Sequence, residues 1–551
     1  MKKLAALACS ALLLAGSISA GADDDDDNRG RGMREAKKRK PNDVVMSPFK
    51  HAPRPIIGAL REPLEKLPQI ENFKVLAHNP LPHFRGTVAR GRNGPTGIAG
   101  DCFYVGNRVG RRTGTGGTTG TPAQPTDNLI VDISNPRNPR VVGEFFTVLG
   151  ATSRELRTIP DRNAMVVMNF ADGVPDSAAV NNFQLFDVTD CRRPQLVRTV
   201  PVGNGLARPH EFYLWRDPNN HNRHLIFVSI LGGQAASTEP SLRVFEWMSP
   251  PHGSFTQVAS FTLEPAILRS EPADPARYRD DHFRFTNKPT SSNHNLHTIA
   301  VSDDGKRLYM SNTDGGYFIM NSENLAMNMP GCVRDVTTSR DPAVNANPAY
   351  CMRLMNPDPS AGRIDRSPPY GGISHGFYPV PGKPYALTQG ERNGTTTCPW
   401  TWGEVLDISD EMNPQVAARY MLPENFPQNC RVGGPGDPAL MREFSTHQPL
   451  IFPNIFFIAW YSGGLRAWDI NIPELPMEVG VFVPRPEKQV IERFRDSPDV
   501  WMWPHPFLHD GLFYVTDENS GLYVLEYRGP RADELPRMGT FHSNDNLHMF
   551  H

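Results

Sequence analysis

Between residues 129 and 527 short apolar runs alternate with polar turns, and one kind of run recurs seven times. Each copy closes on an acidic or amide residue. Leu129-Ile130-Val131-Asp132-Ile133-Ser134-Asn135-Pro136 and Phe183-Gln184-Leu185-Phe186-Asp187-Val188-Thr189-Asp190 set the pattern, and later copies end at Glu246, Asn321, Asp407, Asp469 and Glu526. The six intervals between these positions average about 66 residues, the period of a propeller or solenoid array. Runs this short, rich in β-branched and aromatic residues, predict strands. The Asp, Ser, Thr and Asn side chains after them can bond the backbone two residues on, and Pro presets φ for a reversal, so each copy predicts a strand followed by a tight turn.

Four strands fit each period. In the sixth they lie near residues 447–452, 455–460, 465–470 and 479–482. Four-stranded units that bury their faces only on neighbours must close into a ring to leave no exposed edge. The expected fold is therefore all-β, a seven-bladed β-propeller of four-stranded antiparallel blades over residues 70–530. Phe73-Lys74-Val75-Leu76-Ala77 reads as a fourth strand that completes the last blade, with the segment from Pro536 to Phe541 competing for that place. Residues 23–69 are expected to form a flexible N-terminal segment and residues 531–551 a peripheral C-terminal tail.

Leu129-Ile130-Val131-Asp132 with its Ser-Asn-Pro continuation, echoed at Asp187, Asp407 and Asp469, resembles the LVIVD-repeat β-propeller proteins. The likeness spans roughly residues 70–530 and departs from the pattern at Glu246, Asn321 and Glu526. The resemblance implies the fold and is nearly silent about activity. More distantly, the layout is similar to the seven-bladed selenium-binding or methanethiol-oxidase proteins, a copper-associated group.

The formal net charge of −2 gives no reason to expect a nucleic-acid partner, and the basic stretch Lys37-Lys38-Arg39-Lys40 is offset by the acidic run Asp23 to Asp27. Gly114 to Gly120 lacks the Lys-Ser/Thr ending of a phosphate-cradling loop, so no nucleotide cofactor is expected. Met1-Lys2-Lys3, an apolar stretch from Leu4 to Ala15 and small residues up to Ala22 have the parts of a secretory signal peptide over residues 1–22. The expectation is an extracytoplasmic protein, periplasmic or secreted, with no integral membrane segment after cleavage. Cys102, Cys191, Cys332, Cys351, Cys398 and Cys430 then remain, an even number that favours disulfides over thiolate metal sites. Neighbouring pairs are the economical choice among fifteen connectivities: Cys332 with Cys351, Cys398 with Cys430, and Cys102 with Cys191.

Five periods place a histidine at the start of their first strand: His210, His297, His375, His447 and His505. First strands line a propeller's channel, so repetition makes these residues spatial neighbours. Neutral imidazole is a common transition-metal ligand, and several without thiolates suit a redox-active or open site. Copper or iron fits such a set, with zinc the alternative if only three ligands converge. Seven-bladed carotenoid oxygenases hold iron with four channel histidines, a similarity of arrangement without family membership. Glu155 falls near the corresponding place in the second period, and His294 and His509 are candidate supporting donors. The competing reading is a set of histidines that only hydrogen-bond within the scaffold.

Other motifs weigh less. Gly372-Ile373-Ser374-His375-Gly376 has the letters of a nucleophile elbow but lacks the strand-to-helix turn that gives the elbow its chemistry. Trp501 and Trp503 precede His505 as channel wall or inter-blade packing, and Glu391-Arg392 reads as an ion pair. Two functions follow. One is an exported metalloprotein, extending to oxidoreductase chemistry on a small molecule. The other is a secreted or surface scaffold that binds a partner through long insertions at residues 105–127 and 321–371.

Overall fold

The seven recurrent runs are the third strands of seven antiparallel sheets, Asp127–Asp132, Asn182–Asp187, Leu242–Met248, Gly316–Asn321, Gly403–Asp407, Leu465–Asp469 and Gly521–Tyr527. In each sheet the first, second and third strands follow chain order, and the first strands of blades 1 to 5 adjoin one another in turn. The chain is a seven-bladed β-propeller. The computed structural model describes residues 57–58, 67–82, 84, 92–108, 127–146, 151–171, 179–203, 208–231, 240–263, 296–313, 316–339, 341–355, 373–391, 400–426, 429, 443–487 and 499–550. The signal-like segment 1–22, the Gly/Thr run 114–120, His294, Arg392, Cys398 and Cys430 lie outside the described residues.

In blades 1, 2 and 6 the acid that closes the third strand works on two blades at once. Asp132 Oδ1 accepts the N–H of Ser134 at 3.0 Å, and Asp187, Asp407 and Asp469 cap the N–H two residues on in the same way at 2.8–2.9 Å. The second oxygen reaches one period ahead: Asp132 to Arg192 at 2.5 Å, Asp187 to His252 at 2.9 Å, Asp469 to Arg531 at 2.8 Å. The bond from Ser134, then Arg192, holds the Asp132 carboxyl below its usual range. Exposed pairs of this kind contribute about 0–1 kcal/mol each, whereas one fully buried Phe or Leu contributes about 1.5–3 kcal/mol. Adhesion between blades is therefore hydrophobic, through side chains such as Phe456, Phe457, Trp460 and Trp468, and the acids fix the turns and the spacing.

Ring closure uses both termini. Phe73–Asn79 is the fourth strand of blade 7, antiparallel to Gly521–Tyr527 with Phe73 opposite Tyr527, as the apolar run at Phe73 suggested. Upstream, Gln69–Glu71 pairs with the outer strand of blade 6 and Ile57–Gly58 with that of blade 5. The described part of the segment expected to be flexible is thus paired along two blade edges. Thr540–Phe541 pairs instead with the first strand of blade 7.

The C-terminal residues are not peripheral. From blade 7 they cross to the far ends of the first strands of other blades. Ser543 Oγ accepts the Ile451 N–H, Asn544 O accepts that of Leu214, and the Asn546 side chain bonds both backbone groups of Arg216. His548 then pairs with Asp303 at 3.7 Å, and Phe550 lies under the Arg216 guanidinium. Asn544 and Asn546 are fully buried. These asparagines satisfy strand-end backbone groups that would otherwise be buried without partners.

The insertion after Asn321 is likewise built into the blades over its described part. Arg353–Leu354 is the fourth strand of blade 4, and Asp335–Thr337 adds a fifth strand to blade 3. A disulfide, Cys332–Cys351, pins it, and Cys102–Cys191 joins blades 1 and 2. Residues 109–126 and 356–371 of the two long insertions lie outside the described residues. No helix among the described residues is long and apolar enough to cross a membrane.

Candidate metal centre in the channel

Each first strand of blades 2 to 5 slips against its second strand at one place: between Ser153 and Glu155, Pro209 and Phe212, Leu296 and Thr298, and Ser374 and Gly376. A bulge inserts an extra residue into the ladder and re-aims its side chain. The residues at these bulges are Arg154, His210, His297 and His375. In blades 6 and 7, His447 and His505 stand just ahead of the first strands Pro449–Ile451 and Phe507–His509. In blade 5 the residue after the bulge is Gly376, where a Cβ would lie 1.9 Å from the Gln389 side-chain oxygen.

Four imidazoles form a continuous arc. Ring centroids are 4.2 Å apart for His210 and His297, 4.4 Å for His297 and His375, and 4.2 Å for His375 and His447. His505 stands apart and packs instead on His542 of the C-terminal segment, at 4.3 Å. Burial holds the imidazolium forms of His297, His447 and His505 well below the usual histidine range and pushes His375 down to about 3. The rings are neutral near pH 7, the state a metal ligand requires.

Their tautomers follow from their neighbours. With Glu211 ionised, Thr298 Oγ1 donates to Glu211 Oε2 at 2.9 Å, and the 3.1 Å contact of His297 Nδ1 with that hydroxyl is then a donation from Nδ1–H. His447 Nδ1 lies 2.6 Å from the Trp503 carbonyl, which can only accept, and His505 Nδ1 faces the Pro449 carbonyl at 3.4 Å. In all three rings the proton sits on Nδ1 and the Nε2 lone pair points elsewhere. For His297 and His447 it points at Glu391. His297 Nε2 is 3.5 Å from Glu391 Oε2, His375 Nε2 is 3.7 Å from the same oxygen, and His447 Nε2 is 3.5 Å from Oε1. Tyr461 donates its hydroxyl to Oε1.

Acceptors thus face acceptors across a fully buried space. His375 makes no hydrogen bond through either ring nitrogen, and neither does Nε2 of His505 or His542. His210 Nε2 and His297 Nε2 are 3.0 Å apart. Two donors held about 2.1 Å from one cation lie about 3.0 Å apart at a right angle and about 3.4 Å at the tetrahedral angle. The observed spacings fit or slightly exceed these values. Two groups meet the mutual spacing for one ion among the described residues: His210, Glu211 and His297, and His297, His375 and Glu391.

Some sequence expectations are displaced. Glu155 does not occupy the position equivalent to the histidines. It aligns with Glu211, the residue after the bulge, and Arg154 stands in the histidine position. Glu155 pairs instead with Arg157 at 2.9 Å, and burial raises its carboxyl above the usual range. His509 lies at the hairpin end of its strand, bonded to Thr540 Oγ1 at 2.8 Å, and takes no part in the arc. Ser374 lies within a strand, which removes the elbow reading.

Sequence reasoning passed over Glu391, weighed only as an ion pair, and also Glu211, Arg154, Thr298 and His542. Burial and then the Glu155 charge push the Glu211 carboxyl up to about 8. Glu211 also accepts from Gln448 Nε2 at 2.8 Å, and Tyr378 donates to Gln448 Oε1. Alignment of Arg154-Glu155 with His210-Glu211 was available in the sequence; the approach of Glu391 was not.

No family model and no curated protein matches the sequence. Among solved structures, the β-propeller domain of Cps50 (Swd1) from Myceliophteria thermophila is similar with a TM-score of 0.41 and 10% identity, over 80% of this chain and 98% of its own. A proposed 6-phosphogluconolactonase from Bacteroides fragilis NCTC 9343 gives 0.36 and 10%, over 71% and 85%. At these scores neither informs function, and the fold stands on the strand order of the chain itself.

Proposed function

We propose that this propeller is a metalloprotein that holds one divalent transition-metal ion in its channel on His297, His375 and Glu391, with His210 and His447 beside them. The observation that carries the reading is the orientation of lone pairs. Nε2 of His297 and His447 is stripped of its proton by acceptors on the far side of each ring, and both face a buried carboxylate. Without a cation these groups repel one another; with one they become ligands. Two imidazoles and one carboxylate are the donor set of non-haem iron(II), with copper and zinc as competing occupants. Such an ion with open positions supplies redox chemistry on a small molecule, which is the oxidoreductase reading of the site.

The residues around it have definable tasks. Thr298 and the Trp503 carbonyl fix tautomers, Tyr461 orients Glu391, and the buried surroundings keep the histidines neutral. The Asp-closed third strands support placing the chain beside the LVIVD-repeat propellers. The signal-like N-terminus and two disulfides support export from the cytoplasm.

Elemental analysis tests the metal reading. The full-length mature protein is offered iron(II), copper(II) and zinc(II) in turn, dialysed and analysed beside a His297→Ala/His375→Ala variant whose fold is checked by circular dichroism. Near-stoichiometric metal in the parent and its loss from the folded variant is the expected result. Failure of the parent to retain any of the three ions would assign the histidines to the scaffold.

A further inference from the structure

Blade 2 breaks the histidine series with an arginine, and the substitution changes the electrostatics of the whole layer. Arg154 occupies the bulge that in blades 3, 4 and 5 delivers His210, His297 and His375. Its guanidinium, 2% exposed, lies 2.7 Å through Nη2 from His210 Nε2 and 3.3 Å through Nε from His210 Nδ1. It also sits over the Trp503 ring at 5.4 Å, and that ring borders His447. Arginine remains charged in any protein environment. An unprotonated imidazole has a single acceptor nitrogen, so the guanidinium donates to His210 through only one of these contacts, and Glu211 Oε1 stands off at 3.6 Å.

Charge counting then constrains what else the site takes. An imidazole that ligates a metal is neutral, and Glu155 pairs with Arg157 at 2.9 Å. Arg154, Glu211 and Glu391 remain. Even with Glu211 and Glu391 both ionised, a divalent ion added to Arg154 leaves at least one positive charge without compensation in a buried layer, a costly state unless an anion joins it. The Nε and Nη2 edge of the guanidinium is the edge that grips a carboxylate with two parallel hydrogen bonds. In the present geometry that edge faces the His210 ring, within the same layer as the ligand nitrogens.

We propose that Arg154 selects a small monoanion, of the carboxylate class, as the molecule bound beside the metal, and that it acts as a specificity-determining residue. This rests on the metal reading above. The rival role, a counter-charge for Glu211 alone, makes no demand on ligand charge.

The test uses acetate and acetamide, which match in shape and differ in charge. The full-length protein is loaded with cobalt(II), and the visible spectrum is followed as each compound is added to the parent, Arg154→Gln and Arg154→Lys. In the parent, acetate is expected to bind at least about 30-fold more tightly than acetamide. Arg154→Gln should reduce that ratio at least about 10-fold at unchanged cobalt stoichiometry, and Arg154→Lys should restore part of it. A ratio unchanged in Arg154→Gln overturns the proposal and leaves the metal site standing, as does loss of cobalt from that variant, which would make Arg154 a support of the ion. If Arg154→Gln does not fold, the parent and Arg154→Lys decide: a parent ratio near one, or a lysine variant identical to the parent, overturns it. A parent that takes up no cobalt removes both the metal reading and the inference built on it.

Discussion

Thr298→Val isolates the tautomer argument from the ligands themselves. The hydroxyl of Thr298 receives the His297 Nδ1 proton at 3.1 Å and passes its own proton to Glu211 Oε2 at 2.9 Å, in a region with no solvent exposure. Valine keeps the shape and removes both bonds. In the metal-free protein a stranded Nδ1–H and a lost donor to Glu211 cost about 1–3 kcal/mol. The imidazole can relieve its share by moving the proton to Nε2, the nitrogen directed at Glu391, and a metal must then displace that proton. Loss of an orienting partner of this kind weakens metal binding about 10- to 100-fold, or about 1.4–2.8 kcal/mol. The assay is competition with a chelator of known affinity at fixed pH, alongside thermal unfolding of the metal-free forms. Thr298→Ser, which keeps the hydroxyl, should stay within about threefold of the parent. A folded Thr298→Val protein that holds metal as tightly as the parent would refute the assignment of the His297 tautomer.

Two further outcomes follow from the scaffold. Loop-closure entropy assigns the Cys102–Cys191 bridge, with a sequence separation of 89, about 4.6 kcal/mol, and Cys332–Cys351, with a separation of 19, about 3.2 kcal/mol. Denaturant unfolding of the two double-serine variants should therefore show the larger loss for the first pair, and the reverse order would contradict this account. At the C-terminus, burial opposes the charge on His548, yet its bond to Asp303 holds its pKa above the usual histidine value, and burial pushes Asp545 up to about 6. Both groups bind protons more tightly when folded, so their contribution is full at low pH and is lost as pH rises through about 6 for Asp545 and through the raised value for His548. Hydrogen exchange across residues 543–550, corrected for intrinsic rates, should report weaker docking at about pH 8.5 than at about pH 5, and Asp303→Asn should flatten the difference; equal protection at both pH values would count against it.

The sequence by itself determined the periodic part of this protein. Asp132, Asp187, Asp407 and Asp469 each follow an apolar strand and cap a turn through the backbone two residues on, an interaction local enough to be read from spacing. The histidines at the starts of first strands were legible for the same reason, since repetition converts equal positions in a period into neighbours around an axis. Tertiary structure decided everything that depends on register and on contacts between distant segments. A one-residue slip at the blade 2 bulge puts Arg154, and not Glu155, among the ring nitrogens, because neighbouring positions on a strand face opposite ways. Glu391 comes from the end of a second strand and meets His297, His375 and His447 only because three first strands converge there. The C-terminal crossing to Leu214, Arg216 and Asp303 carries no periodic signal at all. Asn544 and Asn546 look like turn residues in isolation, and only the assembled ring supplies the buried strand-end groups that they satisfy.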